Sequence, residues 1–254
     1  MTSHFIWYEL LTTDPDAAAT FYGTVLGWAA SGSGQAGMDY RTFTKDGVAV
    51  GGHMALSPGA VASGMPPCWL GYVSVADVDK SVAAVLAAGG AVYMPAMDIP
   101  NVGRFALVAD PQGASFYVMT AAGQGPATSF APSTPGHGGW HELHTTDWKA
   151  ALAFYGAQFG WKESRAMDMG PMGTYLLFNV GAGDAVGGMV NNAEAPRPFW
   201  LYYFNVADIE QAGRLIAANG GRVLMGPHQV PTGSWIVQAQ DPQGAMFALV
   251  GPKV

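Results

Sequence analysis

Trp7-Tyr8-Glu9-Leu10-Leu11-Thr12-Thr13-Asp14 returns 133 residues later as Trp140-His141-Glu142-Leu143-His144-Thr145-Thr146-Asp147. The same spacing carries Phe21-Tyr22-Gly23 onto Phe154-Tyr155-Gly156 and Leu26-Gly27-Trp28 onto Phe159-Gly160-Trp161. Further along, Ala49-Val50-Gly51-Gly52 matches Ala185-Val186-Gly187-Gly188 at a spacing of 136. At a spacing of 131, Trp69, Val75-Ala76-Asp77 and Asp110-Pro111-Gln112-Gly113-Ala114 match Trp200, Val206-Ala207-Asp208 and Asp241-Pro242-Gln243-Gly244-Ala245. The spacing changes only where loops are expected. Matches of this length and order mark a tandem duplication. They predict one domain over 1–121, a Gly-, Pro-, Ser- and Thr-rich linker over 122–138, and a second domain over 139–254.

A weaker repeat lies inside each half. A strand ending in Asp14 leads into a helix, and so does a strand ending in Asp77, which suggests four copies of one βαβββ unit. In the first copy the strand is Phe5 to Thr12. Thr13 or Asp14 caps the helix, Pro15 sits in its first turn and Asp16 favours its positive end. Ala18, Phe21, Tyr22, Val25 and Leu26 recur at helical spacing, and Gly27 stops the helix. Tyr40–Phe43 and Val48–Met54 read as strands joined by a Lys45-Asp46-Gly47 turn. The second copy has strands at Leu70–Val75, Ala91–Met94, Arg104–Ala109 and Ala114–Met119, with a helix over Val78–Ala88. Asp110-Pro111-Gln112-Gly113 and Asp241-Pro242-Gln243-Gly244 read as turns, because Pro fixes φ early and Gly allows positive φ late.

Composition narrows the function classes. Half of the 254 residues are hydrophobic and 11% are charged, against about a quarter charged in an average soluble protein. That favours extensive packing and allows a homodimer. Mean hydropathy is +0.17, yet no uninterrupted apolar run approaches the roughly 20 residues of a membrane span. No signal-peptide pattern opens the chain, so a cytoplasmic location is expected. Eleven Lys and Arg form no stripe and the net charge is −7, so neither nucleic acid nor a membrane is an expected partner. The single cysteine, Cys68, excludes an intrachain disulfide.

The order of strand, Asp, helix with Phe-Tyr, Leu-Gly-Trp, and later Asp-Pro-x-Gly before a final strand resembles the vicinal oxygen chelate superfamily. Its members include glyoxalase I, extradiol dioxygenases, fosfomycin-modifying enzymes and bleomycin-binding proteins. The likeness covers nearly the whole chain, twice, and extends to two-domain bacterial glyoxalase-like proteins related to a mycobacterial secreted antigen. The resemblance implies an α+β fold of tandem glyoxalase-like domains. Their four βαβββ units would form two curved eight-stranded cups with helices outside and the ligand within.

It also implies a divalent metal held by His and Glu or Gln from set strand positions. Those positions carry Trp7 and Trp140 on the first strands, Tyr117 and Ala248 on the last, Leu70 and Leu201 on the middle strands, and His53 and Met189 after Val-Gly-Gly. Only His53 is an ordinary ligand. The expectation is therefore no cofactor, the alternative being a divalent metal taken by His53, Glu9, Glu142 or His144.

Strand alternation says what would line the cups instead. Trp7, Glu9 and Leu11 share one face of the first strand. Trp140, Glu142 and His144 share the corresponding face, and Tyr72 and Tyr203 come from the middle strands. With Tyr117 and His53, these give apolar walls and a few polar groups, the usual make-up of a small-molecule site. Glu9 and Glu142 are kept in both copies. A glutamate among aromatics should have a raised pKa and could abstract a proton beside a carbonyl. It could equally be a structural hydrogen-bond acceptor. His144 is its candidate acid–base partner.

Three functions follow as alternatives. The chain could be a glyoxalase-type lyase or isomerase with Glu as base, acting on a small carbonyl or oxygenated metabolite. It could instead sequester a small molecule or drug, or be a metal-dependent lyase or dioxygenase.

Overall fold

The computed structural model describes residues 3–32, 39–123, 127–181 and 183–254. Positions 124–126 of the expected linker lie outside the described residues. The first half runs β1 (Phe5–Thr12), α1 (Pro15–Leu26), β2 (Ala29–Gly32), β3 (Arg41–Lys45), β4 (Val48–Ala55), α2 (Pro58–Ala62), β5 (Cys68–Ser74), α3 (Val78–Ala87), β6 (Ala91–Ile99), β7 (Gly103–Ala109) and β8 (Ser115–Ala121). The second half runs β9 (Gly138–Thr145), α4 (Trp148–Phe159), β10 (Lys162–Asp168), a 3-10 turn (Gly170–Met172), β11 (Thr174–Asn179), β12 (Gly187–Asn191), β13 (Phe199–Asn205), α5 (Ile209–Ala218), β14 (Arg222–Gln229), β15 (Trp235–Gln240) and β16 (Met246–Gly251).

The strands form two eight-stranded mixed sheets, ordered β2-β3-β4-β1-β5-β8-β7-β6 and β10-β11-β12-β9-β13-β16-β15-β14. Four βαβββ units therefore exist, two per sheet. In each, the first strand pairs parallel with the last, as β1 does with β4 and β13 with β16. The remaining strands meander antiparallel.

Each unit starts its helix by the same device. Asp14, Asp77, Asp147 and Asp208 have extended backbones, and their carboxylates accept backbone N–H groups of the first turn. These donors would otherwise be orphaned, which is why Asp recurs there. The long helices of the first and third units end on Gly27 and Gly160, with φ of 69° and 74°, a conformation glycine adopts without a Cβ clash. In the first half, two elements were not expected from the sequence. Strand β2 is four small, exposed residues and α2 is a single short helix, so neither carries a periodic apolar signal.

By packing, the chain divides into two compact units. One is Met1–Ile6, Gly71–Pro126 and His141–Leu201; the other is Trp7–Leu70, Ala127–Trp140 and Tyr202–Val254. Each compact unit thus draws on both sequence halves. Buried relays within each show why. In the first, Trp200 Nε1 donates to the Tyr155 hydroxyl, which donates to Asp110 Oδ2, both at 3.0 Å. In the second, Trp69 Nε1 donates to Tyr22 (2.9 Å) and Tyr22 to Asp241 Oδ2 (3.0 Å). Both aspartates open Asp-Pro-Gln-Gly turns, and their other oxygen accepts the backbone N–H groups of Gln112 and Ala114, or of Gln243 and Ala245. Burial pushes both carboxyls up, and these hydrogen bonds oppose it.

Candidate functional site

The first strand of the third unit positions the richest polar cluster. Glu142 and His144 lie two residues apart on β9, so their side chains share a face. Both are buried, at 7% and 9% exposure. His144 Nε2 lies 2.9 Å from Glu142 Oε1. The Tyr175 hydroxyl, from β11, donates to Glu142 Oε2 at 2.7 Å. Asn192, one residue past β12, places Nδ2 3.0 Å from His144 Nδ1. The Phe199 ring lies flat against the imidazole, with centroids 4.6 Å apart and planes 4° from parallel. Glu142 is opposite Gly188 on β12. A Cβ at Gly188 would overlap the Tyr175 ring, so this glycine opens the path from phenol to carboxylate.

The corresponding positions in the other compact unit keep part of this plan. Glu9 is buried at 4% exposure and lies opposite Gly52. The Tyr40 phenol bonds to Glu9, and Trp7 Nε1 donates to that phenol at 2.7 Å. Burial, and then the Glu9 charge, push the phenol well above its ordinary range. Gly52 makes room for the Tyr40 ring as Gly188 does for Tyr175. The imidazole, amide and phenyl groups are missing. Leu11, Leu56 and Cys68 stand where the second half has His144, Asn192 and Phe199. The backbone confirms the middle match: Leu56 N–H donates to Thr12 O, and Asn192 N–H donates to Thr145 O.

The other expected residues are distributed as follows. Tyr72 and Tyr117 are paired across β5 and β8, and their rings stack at 4.2 Å with Phe105 beside them. The Tyr203 hydroxyl accepts from Gln238 Nε2 at 2.9 Å. Trp7 and Trp140 are half-buried. His53 is not brought together with these groups. It pairs with Leu10 rather than Glu9 across β1 and β4, so it points to the opposite face of the sheet. Its ring stacks on Phe43 at 4.0 Å. Burial, followed by the nearby Arg41 charge, pushes it down to about 4.

Tyr40, Tyr175, Asn192 and Phe199 escape a reading made strand by strand. Two signals were available. Tyr40 and Tyr175 each precede a matched phenylalanine by three residues (Phe43 and Phe178), and each copy keeps Val-Gly-Gly.

A divalent ion does not fit this donor set. Among the described residues no three His, Cys, Asp or Glu side chains converge. In the Glu142–His144 cluster both carboxylate oxygens and both ring nitrogens already hold protein partners. The indoles of Trp7 and Trp140, at the positions where the resemblance implies ligands, offer none.

Two βαβββ pairs, each forming one eight-stranded sheet, define a two-domain member of a broad class of small-molecule proteins. The sequence profile of the Glyoxalase/Bleomycin resistance protein/Dioxygenase superfamily matches residues 4–118 and 138–249, and the chain belongs to that superfamily. It is 37% identical, over 97% of its length and 94% of the relative's, to the protein named "Putative glyoxylase CFP32" of Mycobacterium tuberculosis. It is 33% identical to the anthracycline biosynthesis protein DnrV of Streptomyces peucetius, over 96% of this chain and 91% of the relative. Among solved structures, the Mn(II)-bound glyoxalase from Novosphingobium aromaticivorans shares the fold at a TM-score of 0.67 and 15% identity, covering 98% of this chain and 82% of that one. An extradiol ring-cleaving dioxygenase from B. fuscum does so at 0.69 and 14%, covering 100% and 72%. No helix among the described residues is long and apolar enough to cross a membrane.

Proposed function

We propose that this chain acts on a small carbonyl or vicinally oxygenated metabolite without a divalent metal, using Glu142 as general base. The observation that carries this reading is the buried Glu142 carboxylate between the His144 ring and the Tyr175 hydroxyl. A carboxylate held at both oxygens keeps its orientation, and ionised it can only accept protons. Removing a proton beside a carbonyl needs such a positioned base. The names of the relatives, a glyoxylase and an anthracycline biosynthesis protein, agree with oxygenated small molecules as ligands.

The Glu9 position supports a second, non-catalytic role. Leu11 and Leu56 stand where the second half has His144 and Asn192, while the Tyr40 phenol bonds to Glu9 and accepts from Trp7 Nε1. We assign ligand binding rather than proton transfer to that half.

The test is proton exchange in deuterium oxide, followed by proton NMR, across a panel of α-hydroxy- and α-oxo-carbonyl compounds. Wild type is expected to wash out the proton beside the carbonyl of at least one compound. Glu142→Gln should abolish the exchange and Glu9→Gln should leave its rate constant intact. Unchanged exchange in Glu142→Gln would end the base assignment. Stoichiometric zinc, nickel, manganese or iron in freshly purified protein would end the metal-free one.

A further inference from the structure

The side-chain amide of Asn192 has only one orientation compatible with its neighbours. One of its two terminal atoms lies 3.1 Å from the backbone N–H groups of both Glu194 and Ala195. An oxygen accepts both; an NH2 group could accept neither. Oδ1 is thereby fixed on the turn, and Nδ2 is the atom that faces His144 Nδ1 at 3.0 Å. The amide nitrogen only donates, so Nδ1 must present its lone pair. The ring proton then resides on Nε2, where it is donated to Glu142 Oε1 at 2.9 Å. Among the described residues, the polar and ring groups that meet His144 are Glu142 on β9, Asn192 beyond β12 and Phe199 on β13, with Tyr175 on β11 reached through Glu142.

We infer that Asn192 is a positioning residue that holds His144 as its neutral Nε2–H tautomer, so that Glu142 and not the imidazole is the proton acceptor of the pair. A proton on Nδ1 would set N–H against N–H at 3.0 Å, a contact in which each donor lacks an acceptor. The outer nitrogen of a histidine commonly decides what the inner one can do. Here the outer partner is a donor, the reverse of the carboxylate that orients the histidine of a catalytic triad. A carboxylate in that place would accept a proton from Nδ1; the amide nitrogen cannot. This inference rests on the reading of Glu142 as the base, but its geometry can be measured without a substrate.

The experiment uses the full chain labelled with 15N in the histidine rings. His144 is identified by the resonances lost in His144→Gln, and long-range 15N–1H correlations at neutral pH report which nitrogen carries the proton. In wild type, Nδ1 should resonate as an unprotonated nitrogen and Nε2 as a protonated one. In Asn192→Asp the Nδ1 resonance should move to the protonated range. In Asn192→Leu, which installs the residue of the first half, the preference should collapse to a mixture of tautomers. A wild-type spectrum with Nδ1 protonated would overturn the inference. So would an unchanged His144 pattern in both folded variants, or in Asn192→Leu if the aspartate variant does not fold. If Glu142→Gln leaves proton exchange intact while the tautomer is as stated, the base reading fails and the tautomer assignment survives.

Discussion

Replacing Tyr155 by Phe removes one oxygen from the interior and little else. The ring, stacked on Trp161 at 5.0 Å and 10° from parallel, is kept. Two hydrogen bonds are lost, one donated to the Asp110 carboxylate and one accepted from Trp200 Nε1. A bond to a charged group contributes about 1.5–3 kcal/mol and a neutral one about 0.5–1.5. All three residues are buried, so water cannot readily replace the oxygen. The expected loss is therefore about 2–4 kcal/mol. For a chain of this size that lowers Tm by roughly 4–16 °C.

The cost should also depend on pH. Burial already raises the Asp110 carboxyl, and the Tyr155 bond opposes that rise. Without the hydroxyl the folded-state pKa climbs further. The penalty is full where Asp110 is ionised and shrinks as pH falls through its folded pKa. Urea denaturation of Tyr155→Phe and wild type, at neutral pH and in steps downward, measures both effects. Tyr22→Phe is an internal replicate, because Trp69 and Asp241 flank Tyr22 in the same manner. A loss below about 0.5 kcal/mol in both variants, the scale of an unremarkable surface change, would refute the view that these relays hold the two compact units.

Other outcomes follow from single features. His141 is pushed down to about 3, chiefly by burial, from an ordinary 6.5. The unfolded chain takes up this proton first as pH falls, so stability should decline from about pH 6.5 downward, by about 2 kcal/mol at pH 5 from this group alone. His141→Phe should flatten that slope in denaturation measured across pH. Gly188→Ala should drive Tyr175 from its place against Glu142, because the added Cβ overlaps the ring. Proton exchange should fall while the far-ultraviolet circular dichroism is kept; unaltered exchange would show that the phenol is dispensable. Asp77→Ala removes the cap on the Lys80 N–H and should cost about 1 kcal/mol by urea denaturation.

Much of the fold is legible because each unit repeats the same local instructions. The strand Phe5–Thr12 can be read to its ends: Tyr8, Leu10 and Thr12 alternate onto the helix side, and Asp14 closes the stretch. The carboxylate pair is legible for the same reason, since Glu9 and Glu142 occupy one position of a duplicated strand. What surrounds them is not, because Tyr175 and Asn192 reach Glu142 and His144 from other strands. That information lies in cross-strand register, which no single stretch encodes. His53 shows the reverse error. It follows a conspicuous Gly-Gly, but its pairing with Leu10 sends it to the helix side of the sheet. Asp110 and Asp241 read correctly as turn residues, while their tyrosine partners come from the other half of the chain.

That exchange of residues between halves has a consequence for birth on the ribosome. The compact unit holding Trp7–Leu70 also needs Tyr202–Val254. At about 5–20 residues per second, the first strands emerge roughly ten seconds or more before the segments that complete their unit. During that interval Tyr22 has no Asp241 to meet, and the apolar face of α1 has no α5. The nascent first half must wait, partly built and sticky, for its other half to be translated. Conditions that slow elongation should therefore lower the yield of this protein more than that of a chain whose domains close in sequence order.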